Sequence, residues 1–460
     1  MKRFFVHTIV ILITSITINL KFGYAQTDDN KLKLSGTFTT DQRLLLKDDN
    51  DWAWNETRLS LKLDKKVTDN SKFHSDIWLR NIGLPNVLMS SDLYNKGIVD
   101  PYNLEIREAY VHVIGFVSDK MDLTIGRQRI VWGTADKLNP TDNLNPLDME
   151  DILDFGRRRG SDALNLKYYL NNDYSMQAVF LPFFQPANLP AGIFANSLNP
   201  EMSFPEGLTI VGLSDTVLMP DYNLKKSSTA AFKFKGYAGG TDFSISYVWG
   251  IDGLPFNTRN ELIPVTNPIV GIHVNSEVSF FRNHIIGADI ATGIGGMGFW
   301  AEAALYLPTE DIHTITDMSA IIPNMIQDQA VLDKNKPYLK YIIGGDYFLP
   351  DGSYFNLQYM HGFVHERGSE NLNDYFFMQY EKGFLNEKLK VAPIGGGFIV
   401  SDWKQLSNNY ALVYMPSIKY QSSVNSDITL FTVLFDGKGE NMFAKLKNFN
   451  MFILKFSYSF

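Results

Sequence analysis

The chain has 460 residues, 45% of them hydrophobic and 13% aromatic, and its 50 acids outweigh 42 bases for a net charge of −8. That acidity argues against nucleic acid as a partner, because phosphate binding needs a basic face. With no cysteine, a disulfide framework, a thiol nucleophile, a Cys-ligated zinc site and a lipid-modified N-terminal Cys are excluded together.

Residues 1–25 read as an export signal. Lys2 and Arg3 make a basic start, Phe4 to Ile18 an apolar core, and Gly23-Tyr24-Ala25 a small-residue cleavage site. Its removal leaves 39 bases against 50 acids, a mature charge of −11. Only Gln26 to Asn30 precede the first strand, so no plug domain, and hence no energised metal-chelate receptor, is expected. Beyond the signal no run of roughly 18 uncharged apolar residues remains, which excludes a helical membrane protein.

The mature chain alternates with a period of two. Leu59, Leu61 and Leu63 alternate with Arg58, Ser60, Lys62 and Asp64, and Ile77 and Leu79 with Asp76, Trp78 and Arg80. Glu108, Tyr110 and His112 stand opposite Ala109, Val111 and Val113; Lys167 stands between Leu166 and Tyr168, and Lys233 and Lys235 beside Phe232 and Phe234. Charges on one face and none on the other describe a strand between a nonpolar medium and a wet one. The last segment repeats the pattern: from Phe452 to Phe460 every even position is large and apolar. Outer-membrane strands alternate in this way over about ten residues. The expected fold is therefore all-β, a transmembrane antiparallel β-barrel of the cell outer membrane formed by residues 26–460, and not a soluble sandwich.

The predicted strands are 31–40, 54–64, 71–80, 104–114, 120–132, 161–170, 173–181, 228–236 and 241–250, then 277–292, 297–307, 337–349, 352–364, 373–382, 387–400, 409–420, 428–435 and 448–460. Connections alternate long and short, as they do where short turns face the periplasm and long loops face outside. Residues 277–292 are read as one strand because splitting 269–292 would break that alternation. The count is eighteen, with sixteen as the alternative, and a barrel of that size can hold an aqueous channel. Arg58, Lys62, Arg80, Glu108, Tyr110, His112, Lys167, Lys233 and Lys235 are assigned to the lumen wall. The terminal Phe460 resembles the signal by which the barrel-assembly machinery recognises such chains.

Two long loops carry candidate chemistry. In loop 133–160 the carboxylates Asp148, Glu150, Asp151 and Asp154 are followed by Arg157, Arg158 and Arg159. The bland reading is a solvated ion-pair cluster. The sharper one folds the loop into the lumen, where Arg129, Asp148, Asp151, Arg157, Arg158 and Arg159 form a constriction with a transverse field. Arg129 shares the parity of the outward Leu123 and Ile125, so Gly126 is expected to mark a bulge that turns it inward; Arg127 is placed at the outer rim. Loop 182–227 carries only Glu201, Glu206 and Asp215 as charges between Pro182 and Pro220. Its Phe183, Phe184, Leu189 and Phe194 are assigned to an apolar vestibule, with self-packing as the alternative.

The run IGRQRIVWGTADKLNPTDNLNPLD, the arginines after it and LPFFQPANLP resemble a domain-of-unknown-function family of Gram-negative outer-membrane porin-like proteins, related in architecture to alginate-export and substrate-specific porins. The resemblance covers roughly residues 120–190 and implies uptake of hydrophobic or aromatic compounds. The run is less basic than a phosphate-selective porin would carry.

Enzyme signals are weak. Gly293 to Gly298 fits G-x-G-x-x-G, but the nucleotide reading needs a helix next, and Phe299 to Leu307 reads as a strand. His361 and His365 at a strand end do not share a helical face, so no metal and no cofactor are expected. The sequence thus implies a passive channel for small solutes with outer-membrane lipid around it. The alternatives are a sealed barrel for ligand or lipid binding or adhesion, and an outer-membrane hydrolase.

Overall fold

A computed structural model describes residues 31–47, 51–154, 156–195, 209–266 and 271–460; the predicted signal lies outside them. In chain order the strands are β1 (Lys33–Leu45), β2 (Trp52–Thr68), β3 (Ser71–Ile82), β4 (Tyr102–Val113), β5 (Met121–Gln128), β6 (Ser161–Tyr169), β7 (Tyr174–Leu181), β8 (Ile210–Val217), β9 (Thr229–Ala238), β10 (Thr241–Ile251), β11 (Phe256–Val265) and β12 (Gly271–Ser279). The second half of the chain adds β13 (Arg282–Ile294), β14 (Met297–Pro308), β15 (Ile312–Asp317), β16 (Ile326–Leu332), β17 (Tyr338–Phe348), β18 (Tyr354–His361), β19 (Asp374–Phe384), β20 (Leu389–Val400), β21 (Tyr410–Tyr414), β22 (Ser417–Ser423), β23 (Ser426–Lys438) and β24 (Met451–Ser459).

All but β8, β11, β12, β15 and β16 join one antiparallel sheet, which closes where β1 pairs with β24. Gly36 and Phe460 seal the closure with reciprocal backbone hydrogen bonds of 2.9 and 3.0 Å. β21 and β22 are two halves of one stave, each pairing with β20 and β23. The break falls at Met415-Pro416, where proline has no N–H to give the ladder. The wall therefore has eighteen staves, as the alternation predicts. The glycine-rich 293–298 segment is the β13–β14 hairpin, with Gly295 and Gly296 both at positive φ.

Burial along the staves is inverted relative to a soluble protein. On β10, Ile245 and Tyr247 are exposed while Ser244 and Ser246 are buried. On β13, Ile286 and Ile290 face out and Asp289 faces in; on β17, Leu339 and Ile343 flank the buried Lys340. The sheet closes on itself and wears an apolar skin, which is the arrangement hydrocarbon demands. The chain is an outer-membrane β-barrel.

One predicted strand is corrected. Residues 277–292 are not a single stave: the wall strand begins at Arg282, and Gly271–Ser279 belongs to a second, five-stranded sheet ordered β16-β15-β11-β12-β8. Its strands come from the three long loops around residues 182–228, 252–281 and 309–337, so these loops are structured outside the wall. Splitting the segment does not upset the short-turn rule, because the added strands pair with one another and not with the wall.

Candidate functional site

β5 ends at Gln128 and β6 begins at Ser161, and the chain between them folds into the lumen. The β5–β6 register runs unbroken from Met121↔Tyr168 to Gln128↔Ser161, so the bulge expected at Gly126 is absent. Arg127 keeps the outward parity of Leu123 and Ile125 and pairs with Asp162 at 2.8 Å. Arg129 reaches the interior because the strand has already ended, not because its parity is reset. Gly133, at φ 97°, lets the chain turn past the wall; a Cβ there would run into the Glu302 carboxylate.

The loop is tied to opposite walls. On one side, Arg43 of β1 donates to Asp151 at 2.7 and 2.6 Å. Arg80 of β3 meets Glu56, Glu105 and the loop's Glu150 at 2.9, 2.5 and 2.8 Å. Arg107 of β4 donates to Asp148 at 2.7 Å and to the Arg158 carbonyl at 2.7 Å. On the other side, Glu302 of β14 accepts from the Thr134, Ala135 and Thr141 amides, the Thr141 hydroxyl and the Asn139 amide, at 2.8 to 3.3 Å. The Tyr306 hydroxyl adds a 3.0 Å bond to the Pro140 carbonyl. Multiple charge-assisted bonds to a buried carboxylate are the strong kind, so the loop is a fixed crosspiece.

The six residues assigned to a constriction all lie on or beside this crosspiece, but they do not form two facing rows. Arg157 meets Asp148 at 3.0 Å and Glu150 at 3.2 Å. Arg129 and Arg158 instead share Asp142, the first in a very short contact and the second at 3.4 Å. Arg159 donates to the Pro186 carbonyl at 2.5 Å. Burial alone would raise the Asp148 and Asp151 carboxyls; the guanidiniums of Arg157 and Arg107, and of Arg43, outweigh it and hold both below the usual carboxylate value. Burial lowers Arg159 below the ordinary guanidinium value.

The wall residues fall around this crosspiece. Arg58 stacks on Trp78 at 4.2 Å, with Arg107 on the same ring at 4.3 Å. Lys62 lies across from Asp76. Glu108 accepts from the Arg129 amide at 3.4 Å, Tyr110 packs on His74, and His112 meets Thr124 at 2.9 Å. Lys167, Lys233 and Lys235 line a cavity of ≈ 240 Å³ on the periplasmic side, with Asp242 and Asp289 opposing them. A second cavity, of ≈ 100 Å³, is lined by Asn143, Arg158, Phe183, Phe184, Tyr306 and Lys340.

The apolar vestibule is only partly as expected. Phe183 and Leu189 are exposed, and Phe184 is buried against Phe280 at 4.8 Å. Phe194 is fully buried, packed with Phe449 and the interior cluster around Leu138 and Ile152, so it lines nothing. Residues Pro182 to Ala195 lie on the crosspiece, with Met149 and Ala191 amides bonding to the Asn188 and Glu150 carbonyls. Residues 196–208, with Glu201 and Glu206, fall outside the described part.

Sequence reasoning missed Asp41, Arg43, Glu56, Glu105, Arg107, Asp142, Glu302 and Lys340. Arg43 sits beyond the predicted end of its strand, although parity carried on from Thr39 would have found it. Glu302, the one acid in an otherwise apolar run, had the inward parity of Tyr306. Arg107 was hidden by the register shift at Asp76/Ile77, which β-strand periodicity does not reveal.

No family model matches the chain, and no curated protein matches it in sequence. In fold it is similar to Salmonella typhi OmpF, solved in complex with daunomycin, at 10% identity and a TM-score of 0.42, covering 95% of this chain and 99% of that one. It is similar also to Pseudomonas aeruginosa OccK11 (OpdR), at 8% identity and TM-score 0.48 over 93% and 95% of the two chains. Acinetobacter baumannii OccAB4 stands alongside, at 9% and 0.48 over 93% and 97%. The assignment itself rests on this chain's own closed eighteen-stave wall and apolar skin: it is an outer-membrane β-barrel.

Proposed function

We propose that the barrel is a channel for passive uptake of small solutes, with loop 133–160 as the selectivity element. The observation that carries the reading is the crosspiece itself: a charged loop braced between Arg43, Arg80 and Arg107 on one wall and Glu302 on the other. Fixed charges at close quarters in a narrow passage discriminate between solutes by sign and size. The exposed Phe183 and Leu189 above it favour apolar or aromatic solutes over sugars, in line with the family the 120–190 segment resembles. Lipid surrounds the skin, and Phe460 is the feature the assembly machinery would read. No catalytic role is assigned.

Planar-bilayer recording of purified protein tests the channel, and liposome swelling with sugars, amino acids, fatty acids and aromatic acids tests the solute class. Arg158→Ala removes a buried cation of the crosspiece and is expected to change conductance or ion selectivity. An unchanged channel would count against the site. The packing of Leu138 and Ile152 into an interior core favours a second reading, a barrel sealed for binding. Folded protein with no conductance would establish it over the first.

A further inference from the structure

The wall is incomplete on one side. β3 pairs with β4 along its whole length, from Ser71↔Val113 to Asn81↔Tyr102. On the other edge β5 pairs with β4 only between Val113 and Ala109, because the chain leaves the wall at Gln128 and returns at Ser161. The upper half of β4, from Tyr102 down to Arg107, therefore has no strand beside it on that edge. Length places this gap within the membrane: β5 has 8 residues and a spanning strand takes roughly 9–11. Leu104 and Ile106 on the free stretch are exposed, as is their wall neighbour Leu79. Backbone groups without partners persist at this depth only where protein or a hydrated cavity meets them.

Such a cavity is present, of ≈ 630 Å³. It is lined from both faces of the wall: Leu104, Ile106 and Arg127 from outside, Glu105, Arg107 and Glu150 from the lumen. Phe183, Gln185 and Pro186 form its far rim. The charges around it do not cancel evenly. Arg107 is held by Glu105 and Asp148, Arg127 by Asp162, and Glu150 by Arg80 and Arg157. Arg159 has only the Pro186 carbonyl; its Nε has no hydrogen-bond partner, and among the described residues no carboxylate comes within 4.0 Å. The unmatched charge is positive, beside an apolar rim.

We propose that this gap is a side portal between lumen and outer leaflet, and that it seats an amphipathic carboxylate with its head on Arg159 and its apolar body along Leu104, Ile106 and Phe183. The portal rests on the channel reading for where the solute goes next, but the seat is tested without it. Neither a sugar nor a neutral hydrocarbon would use both halves of the site.

The probe is dodecanoic acid carrying a diazirine near its terminal carbon, photolysed in outer membranes that contain the full chain, with labelled peptides read by mass spectrometry. Labelling is expected to concentrate on residues 103–107 and 183–186. Arg159→Gln is expected to reduce it at least tenfold and Arg159→Lys to restore most of it, while the methyl ester of the probe labels no better than Arg159→Gln. Phe183→Ala, which touches no ion pair, supplies a second variant and is expected to lower labelling several-fold. Labelling spread evenly over the apolar skin, or an ester that labels as well as the acid, would overturn the proposal. So would labelling displaced by phosphatidylglycerol but not by unlabelled dodecanoate, which would make the gap a seat for membrane lipid. A barrel without conductance that still labels here would refute the channel and leave the seat standing.

Discussion

Arg43 and Asp151, 108 residues apart in the chain, face each other across two parallel hydrogen bonds of 2.7 and 2.6 Å, while Asp41 grips the other edge of the same guanidinium at 2.9 Å. The cation is shared, so the two ends of the contact are not equivalent. Asp151→Asn leaves Arg43 paired with Asp41. Arg43→Leu leaves two buried carboxylates facing each other, and an uncompensated buried charge costs about 3–5 kcal/mol. Arg43→Leu is expected to destabilise the folded barrel by that order and Asp151→Asn by clearly less. Urea unfolding of the refolded protein in lipid vesicles measures both; equal losses would mean Asp41 does not share the load.

The crosspiece has a second, independent anchorage. Glu302→Gln weakens the carboxylate that collects the donors of Thr134, Thr141 and Asn139. Each buried donor left unmatched costs about 1–3 kcal/mol. Removing all three carboxylates that meet Arg43, Arg80 and Arg107, as Asp148→Asn/Glu150→Gln/Asp151→Asn, frees one end and leaves the loop held by Glu302, and Glu302→Gln alone leaves it held by those arginines. Combining the triple change with Glu302→Gln is expected to raise single-channel conductance by more than the two separate effects together, because only then are both ends loose. Simple additivity would show that the loop does not limit the passage.

His365 gives a pH dependence with a definite sign. It is buried in the loop after β18, its Nδ1 has no hydrogen-bond partner, and burial pushes its pKa down from 6.5 to about 4, against the pull of Glu366 and with the push of Lys340, Arg367 and Lys445. The unfolded loop binds the proton more readily. Stability is therefore complete above pH 6.5 and is lost as pH falls towards about 4, by up to ~3 kcal/mol. Hydrogen exchange of residues 363–373 is expected to quicken between pH 7 and pH 4.5, beyond the intrinsic change, and to do so less in His365→Phe.

Phe460 closes the barrel physically. Its backbone pairs with Gly36, and its ring occupies the space a side chain at position 36 would need. Phe460→Ala keeps the backbone bonds and removes the ring. The proposed recognition by the assembly machinery predicts a several-fold fall in the heat-modifiable, membrane-inserted form in cells, with little change in refolding of purified protein into detergent. A matching fall in both would assign the ring to closure alone.

The staves were legible because each one meets lipid on one side and water or the crosspiece on the other, which writes a two-residue period into the chain. Ser244, Ile245, Ser246 and Tyr247 show it plainly. The outer sheet was not legible, because β8 finds β12 and β11 finds β15 across long separations in the chain that no local period records. The same limit applies to the crosspiece. Its own charges could be read from the chain, but Arg43 and Glu302 are wall residues whose importance comes from what is folded against them.

The outer sheet also changes what a cut at the cell surface would do. Strands from three separate loops are stitched together there, β8 to β12, β11 to β15, and β15 to β16. A protease that nicks one of these connections between paired strands leaves both new ends hydrogen-bonded to a neighbour. The extracellular crown should then stay in place after a single cleavage, and a nicked barrel should keep its shape until a second strand is severed.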